Sequence, residues 1–456
     1  MSTQSAQLAP RPAVAAPRPY VFPAVRRSRV GAGHILAAHL PGQPIIWLSL
    51  LLGGGALREP AGLDGLARAT AGLLDEGTLD RSADEFGTAV ESLGGQWSVD
   101  TSWETARLSI DLPVGEAEGG ARMLAEAARR PAFTDHDVAR YLADLVAGKR
   151  ESFARPGPRA QAAFRGALFG AETRFGRLAG GDPDTAAALT AGAVRAFHAE
   201  WMREAGTLLV VGDLDQVDLD ALGRAVFAGA VGPAHRPDAR PGWLALPKPA
   251  LAADPARLVV VDRPGAVQST LRIGHTAPTM AEADAAGLDR VALRMASSIL
   301  GGSFTSRLNH ELREVKGVTY GARGTFDLGR PVGTYQFSAE VRTDATGESI
   351  KDTLRVIDEF LDGGATREEL EKTRSHLAGA IPIELQTVGS VGHYLVDIVR
   401  QGLADDFVTT DHAHLLEVSL DEVNAAIRTS LRPSELVIAV EGDESVIGLD
   451  PADFPR

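Results

Sequence analysis

Two ten-residue stretches of this chain alternate apolar and polar side chains with period two. Glu104–Pro113 reads ETARLSIDLP and Gly333–Arg342 reads GTYQFSAEVR. Such alternation predicts strands with one face on a core. Phe337 lies 229 residues after Leu108. A second pair of elements keeps that spacing. Thr190 is placed to cap a helix bearing Val194 and Phe197, before a strand Leu208-Leu209-Val210-Val211 and a turn Gly212-Asp213. Later, Ser419 and Glu422 form a capping box, in which hydroxyl and carboxylate satisfy each other's free amides. It opens a helix with Val423 and Ile427, before the strand Leu436–Val440 and the turn Gly442-Asp443. Val423 stands 229 residues beyond Val194, and Gly442 stands 230 beyond Gly212. Two element pairs at one offset predict two halves of similar fold.

The remaining pattern fills in each half. Ser82 and Glu85 make another capping box, followed at helical spacing by Phe86, Val90 and Leu93 and stopped by Gly94-Gly95. Ile350, Leu354, Ile357 and Leu361 repeat the pattern up to Gly363-Gly364, and Thr366 with Glu369 opens the next helix. Strand runs beside helix runs, with few strand–helix–strand alternations, predict an α+β class: two similar halves, each an antiparallel sheet covered by helices. The expected boundaries are a disordered Pro/Ala-rich tail over 1–23, an N-terminal half over 24–230 and a proline-rich joint over 231–250. A C-terminal half over 251–446 and a tail over 447–456 complete the chain.

With 456 residues, 44% hydrophobic and 23% charged, there is material for about two large units or three of ~150 residues. The net charge of -14 argues against a nucleic-acid binder, which needs cationic surface. The absence of cysteine excludes disulfides, thiolate metal sites and a cysteine nucleophile, and fits a cytoplasmic protein. No apolar run approaches the ~20 residues a bilayer demands, and Pro10, Pro12, Pro17, Pro19 and Pro23 deny the N-terminus a signal-peptide core. No membrane and no nucleic-acid partner is expected.

Catalytic patterns are sparse. The eleven histidines are scattered, and the close pair His412/His414 diverges on a helix. Gly301-Gly302-Ser303 lacks the nucleophile elbow, so Ser303 reads as a loop residue, and Gly53-Gly54-Gly55 reads as a bend or bulge. The informative segment is Ile299–Gly321. Ser303–Leu312 is predicted as a helix, and Gly317, Val318 and Thr319 switch the chain into a strand. Arg313 then sits near a helix end and Tyr320 at a strand start, where a guanidinium and a phenol can be aimed at one point. On chemistry alone, Arg313 serving the helix dipole and Tyr320 packing in a core explain the same pattern.

From about residue 30 to 445 the chain resembles the insulinase-type inverted zincins, especially bacterial members similar to mitochondrial processing peptidase. The segments that match in order are Gly65-Leu66-Ala67, Gly77-Thr78, Leu168-Phe169-Gly170 with Phe175-Gly176, Val210-Val211-Gly212-Asp213, and Leu300-Gly301-Gly302 through Gly321. The resemblance implies a duplicated α/β roll shaped as a half-clamshell. It also exposes a loss. Catalytic members carry H-x-x-E-H after the first of these segments; here Arg68 and Gly72 stand at the histidine positions and Ala71 at the glutamate. Near the expected third ligand, at 149–151, Lys149 and Arg150 stand beside Glu151. Zinc needs about three protein donors and its water needs a base. No metal on this chain is expected, and no peptide hydrolysis by it alone.

Arg313 and Tyr320, by contrast, resemble the family's Arg/Tyr pair at the same seven-residue separation. The resemblance implies a non-catalytic, substrate-binding subunit of a heterodimeric zinc metallopeptidase that cleaves peptides or leader sequences. A homologous partner bearing H-x-x-E-H would supply the zinc, and this chain would supply Arg313 and Tyr320, with Gly301, Gly302 and Ser303 as a substrate-binding loop. The alternative is a structural scaffold subunit without an active-site role.

Overall fold

Eleven strands of the computed structural model, which describes residues 17–231, 257–330 and 332–449, form two sheets. The first is built from β1 (Val25–Val30), β2 (Gly33–His39), β3 (Ile45–Gly54), β4 (Gln96–Thr101), β5 (Thr105–Pro113) and β6 (Thr207–Gly212), in the order β1-β2-β6-β3-β5-β4. The second contains β7 (Leu258–Asp262), β8 (Gln268–Ala277), β9 (Thr319–Asp327), β10 (Gly333–Arg342) and β11 (Val437–Gly442), in the order β7-β11-β8-β10-β9. Neighbours run antiparallel except for one parallel pair in each sheet, β2 with β6 and β7 with β11.

Without β1, the two strand orders correspond one to one. The registers correspond as well. Leu48 lies between Ile110 and Val210, and Leu271 lies between Ala339 and Val440. The expected duplication holds at single-residue resolution, since a slip of one residue would turn every side chain to the wrong face. Both alternating stretches are strands with their apolar side chains buried, and the capping boxes at Ser82, Thr366 and Ser419 all form. Gly54 sits at a register shift in β3, as the triple glycine implied.

Each sheet buries one face against helices of its own half. In the first, Leu48, Leu50, Leu108 and Ile110 meet α1 (Leu66–Gly72) and α3 (Ala117–Arg129), with α2 (Ala83–Ser92) alongside. The other faces are covered reciprocally. After α4 (Asp135–Ala154), α5 (Pro158–Phe169) leaves its own half and sets Phe164, Leu168 and Phe169 against Val437 and Ala439 of β11. The helix Val388–Gln401 of the second half sets Val391 and Leu395 on Leu36, Trp47, Leu51 and Leu209 of the first sheet. The halves expected at 24–230 and 251–446 therefore trade a helix, because each sheet has two apolar faces and only one local cover.

Three expected boundaries move. Part of the supposed N-terminal tail, residues 17–23, is docked: Phe22 is buried, and the Tyr20 and Phe22 amides donate to His412 and Thr409. The last helix, Glu444–Ile447, buries Ile447, so ordered chain runs past 446. The helix expected from Ser303 begins at Arg307, because Ser303 is extended and Ser306 caps it by accepting from Asn309. Residues 1–16, most of the proline-rich joint and 450–456 lie outside the described residues.

Candidate functional site

Helix α1 occupies the place where the resemblance puts the zinc motif. It packs against β4 and buries Leu66, Ala67, Ala69, Thr70 and Ala71. Arg68 projects to solvent and Ala71 is inside the core. Gly72 faces the Tyr141 phenol so closely that a Cβ there would lie 2.0 Å from its oxygen, so an imidazole would have to displace Tyr141. On α4, Glu151 is exposed and paired with Arg155, while Lys149 donates to the Gly181 carbonyl at 3.2 Å. Burial, and next the Arg68 charge, hold the Lys149 ammonium below its usual range. Two cations with an alanine and a glycine do not fit a dication.

One other group of three potential ligands occurs among the described residues: His39, Asp213 and Asp215. His39 Nδ1 accepts from the Leu214 amide at 3.0 Å, so the neutral ring keeps its hydrogen on Nε2 and has no lone pair for a metal. The group is a turn, and its counterpart recurs in the second half. The amides of Gly42 and Gly265 donate to Asp213 and Asp443 respectively. The His412/His414 pair is also accounted for. His412 contacts the Tyr20 amide and the Ala378 carbonyl, and His414 pairs with Asp289 at 2.6 Å.

In the second half, the guanidinium of Arg313 lies 3.9 Å over the ring of Phe304 and 3.4 Å from Glu314. Its Nη1 is buried without a hydrogen-bond partner. Tyr320, at the start of β9, is 91% exposed, which removes the core-packing reading. It lines an open groove of 290 Å³ with Arg272, Arg323, Ser338 and Glu340. No hydrogen bond or ring contact joins Arg313 to Tyr320 among the described residues, so the structure gives them separate supports on one half. Gly301 is buried under β9, where a Cβ would meet the Gly324 amide nitrogen at 2.8 Å. Its role is close packing, and only Gly302 and Ser303 of the expected loop are accessible.

Sequence reasoning missed a third cluster, at the junction of the halves. Glu104, in the β4–β5 turn, has a side chain only 1% exposed; it faces Arg400 at 3.7 Å and Arg330 at 4.0 Å with neither oxygen hydrogen-bonded. Burial pushes its carboxyl up to about 7 against the pull of both arginines. A cavity of 380 Å³ beside it is lined by Trp103, Arg165, Asp327, Arg330, Asp397 and Arg400. Nothing in the sequence marks this set, since its members are brought together by the exchanged helix.

The chain matches the family description insulinase (peptidase family M16) over residues 34–157, and peptidase M16 inactive domain over 188–377. A protein of Streptomyces coelicolor, named an uncharacterized zinc protease, is 26% identical over 94% of this chain and 92% of its own length. A non-peptidase homologue from Helicobacter pylori is 23% identical, over 85% of this chain and 86% of its own. The crystal structure of a peptidase M16 inactive domain from Pseudomonas fluorescens superposes with a TM-score of 0.80 at 23% identity, covering 92% of this chain and 98% of that one.

Proposed function

Because this chain belongs to the insulinase (M16) peptidase family, we propose that it is the peptide-binding, non-hydrolytic subunit of a two-chain zinc metallopeptidase in the cytoplasm. A homologous partner with an intact H-x-x-E-H would hold the zinc, which polarises the scissile carbonyl and its attacking water. This chain would contribute Arg313 and Tyr320. The observation that carries the reading is an asymmetry of loss. The helix at the zinc-motif position carries no ligand side chain, yet Tyr320 is solvent-facing and the Arg313 guanidinium is partly exposed beside Phe304 and Glu314.

The chemistry of the pair is direct. The Tyr320 hydroxyl can donate to the oxyanion that develops on the substrate carbonyl, and Arg313 can donate to a neighbouring peptide carbonyl. Phe304 stacks under the Arg313 guanidinium and orients it without using up its donors. The substrate is a peptide or leader segment in extended form, recognised mainly through its main chain.

The test is to purify this chain with an H-x-x-E-H homologue from the same genome and digest a peptide mixture. Cleavage is expected from the mixture and from neither chain alone. A complex that assembles and cleaves at an undiminished rate with Arg313→Ala and with Tyr320→Phe would instead favour a scaffold role.

A further inference from the structure

The helix at the zinc-motif position lacks metal ligands, and two cations stand there, Arg68 on α1 and Lys149 on α4. Arg68 makes no hydrogen bond or ion pair among the described residues. Among the described residues Lys149 has one hydrogen bond, to the Gly181 carbonyl, and no carboxylate in contact. Lys149 Nζ and Arg68 Cδ lie 3.0 and 3.7 Å from the point where a Cβ on Gly180 would sit, so both side chains converge on one spot. The Tyr141 hydroxyl stands on the same helix face, against Gly72, and makes no hydrogen bond among the described residues. Like charges at this range repel. Asp182 and Glu59 attract the Lys149 ammonium from a distance, but no acid nearby touches either cation. Glu59 is held by Arg174 and by the amides of Gly65 and Ala67; Asp182 accepts from Asp184 and Thr185; Glu76 pairs with Arg140. Asp75, burial-shifted up to about 6, is bonded to its own backbone. In a chain with 60 acidic and 46 basic side chains, two adjacent cations with no carboxylate in contact among the described residues leave a place for an outside anion.

We propose that Arg68, Lys149 and Tyr141 form a carboxylate-binding site at the vestigial metal helix, which anchors a carboxylate of the bound peptide. The proposal rests on the peptide-binding reading above. A carboxylate fits better than a phosphate. Phosphate sites recruit backbone amides at a helix N-terminus, and the first amides of α1 are already taken by Glu59. A guanidinium fork matches the two oxygens of a planar carboxylate, and an ammonium and a phenol add one donor each. The carboxylate comes either from the peptide's C-terminus or from an Asp or Glu side chain.

Three fluorescent decapeptides distinguish these sources on the full-length chain by anisotropy. One has a free C-terminus and no acidic side chain, one is amidated with no acid, and one is amidated with a single Glu. A carboxylate-bearing peptide is expected to bind about tenfold to a hundredfold more tightly than the neutral one, and the Arg68→Ala/Lys149→Ala double variant is expected to abolish the difference. Equal binding of all three by the unaltered chain, or a preference that survives the double variant, overturns the site while leaving peptide binding intact. A second measurement needs no peptide. With only five lysines in the chain, amine acylation can be followed residue by residue by mass spectrometry. Acetate is expected to protect Lys149 selectively, and Arg68→Ala to remove the protection. Protection without any peptide binding would sink the peptide reading and keep the site; no protection overturns the site.

Discussion

The outer strands β4 and β9 hold equivalent places at the ends of the two sheets, yet their free edges are treated differently. Along β9, the Asn309 side-chain amide donates to the Ala322 carbonyl and accepts from its amide. Ser297 makes longer contacts, at 3.4 Å, with the Gly324 carbonyl and the Phe326 amide. Side chains thus imitate a missing neighbour and blunt the edge. Along β4 the Ser102–Thr105 bond fixes the phase, so that alternation turns the backbone groups of Trp97, Val99 and Thr101 outward. No side chain among the described residues answers them. The cause is one residue. Ser82 and Ser306 cap equivalent helices, and the third residue of each helix is Glu85 in one and Asn309 in the other. Glu85 folds back to its own cap; Asn309 reaches across to the strand. One sheet end is left ready to pair with an extended segment, and the other is closed to pairing but presents Tyr320.

Four experiments would break or sharpen this contrast. The largest effect is expected at the closed edge: Tyr320→Phe should lower turnover of the assembled two-chain complex by ~10²–10³, read from steady-state kinetics, with assembly unchanged. Next, Asn309→Ala should cost ~2–4 kcal/mol in urea unfolding, because the Ala322 amide and carbonyl lose their partners; if β9 was never blunted by this amide, the midpoint will not move.

Glu104 ties the turn after β4 to Arg330, just beyond β9. Its folded carboxyl titrates near 7, above its unfolded value, so the native state binds the extra proton. Its contribution is complete below about pH 4.5 and declines as pH rises through 7. Glu104→Gln should flatten the fall of Tm between pH 5 and 8 by the equivalent of ~2 kcal/mol. The smallest effect is expected for Val99→Pro. This removes one outward donor and spares the β4–β5 ladder, so peptide affinity should drop about tenfold with little change in Tm. Unchanged affinity would show that β4 is not used.

Much of the fold was legible because it rests on local physics. Alternation at 104–113 and 333–342 fixed strands, and Ser/Thr with Glu three residues on fixed helix starts. The 229-residue offset exposed the duplication. What could not be read was which sheet a helix would meet: Phe164 and Leu395 declare an apolar face but not its partner. The helix expected at Ser303 failed because the turn after Gly302 is held by the Ser303 amide on the Ser298 carbonyl, while Ser306 provides the cap. At the candidate site, Arg313 and Tyr320 were legible as residues and Phe304 as their support was not. Arg68 and Lys149 were read as a deletion, since nothing local to them announces that Tyr141 fills the space beside Gly72.

The traded helices bear on how the molecule comes off the ribosome. When β6 has emerged, the first sheet has its six strands but only one of its two covers; Trp47, Leu51 and Leu209 wait for Val391 and Leu395, made some 180 residues later. The nascent first half must spend that interval with an apolar surface uncovered, a natural client for a chaperone, and neither half can be shed by a truncated gene without stripping its sibling.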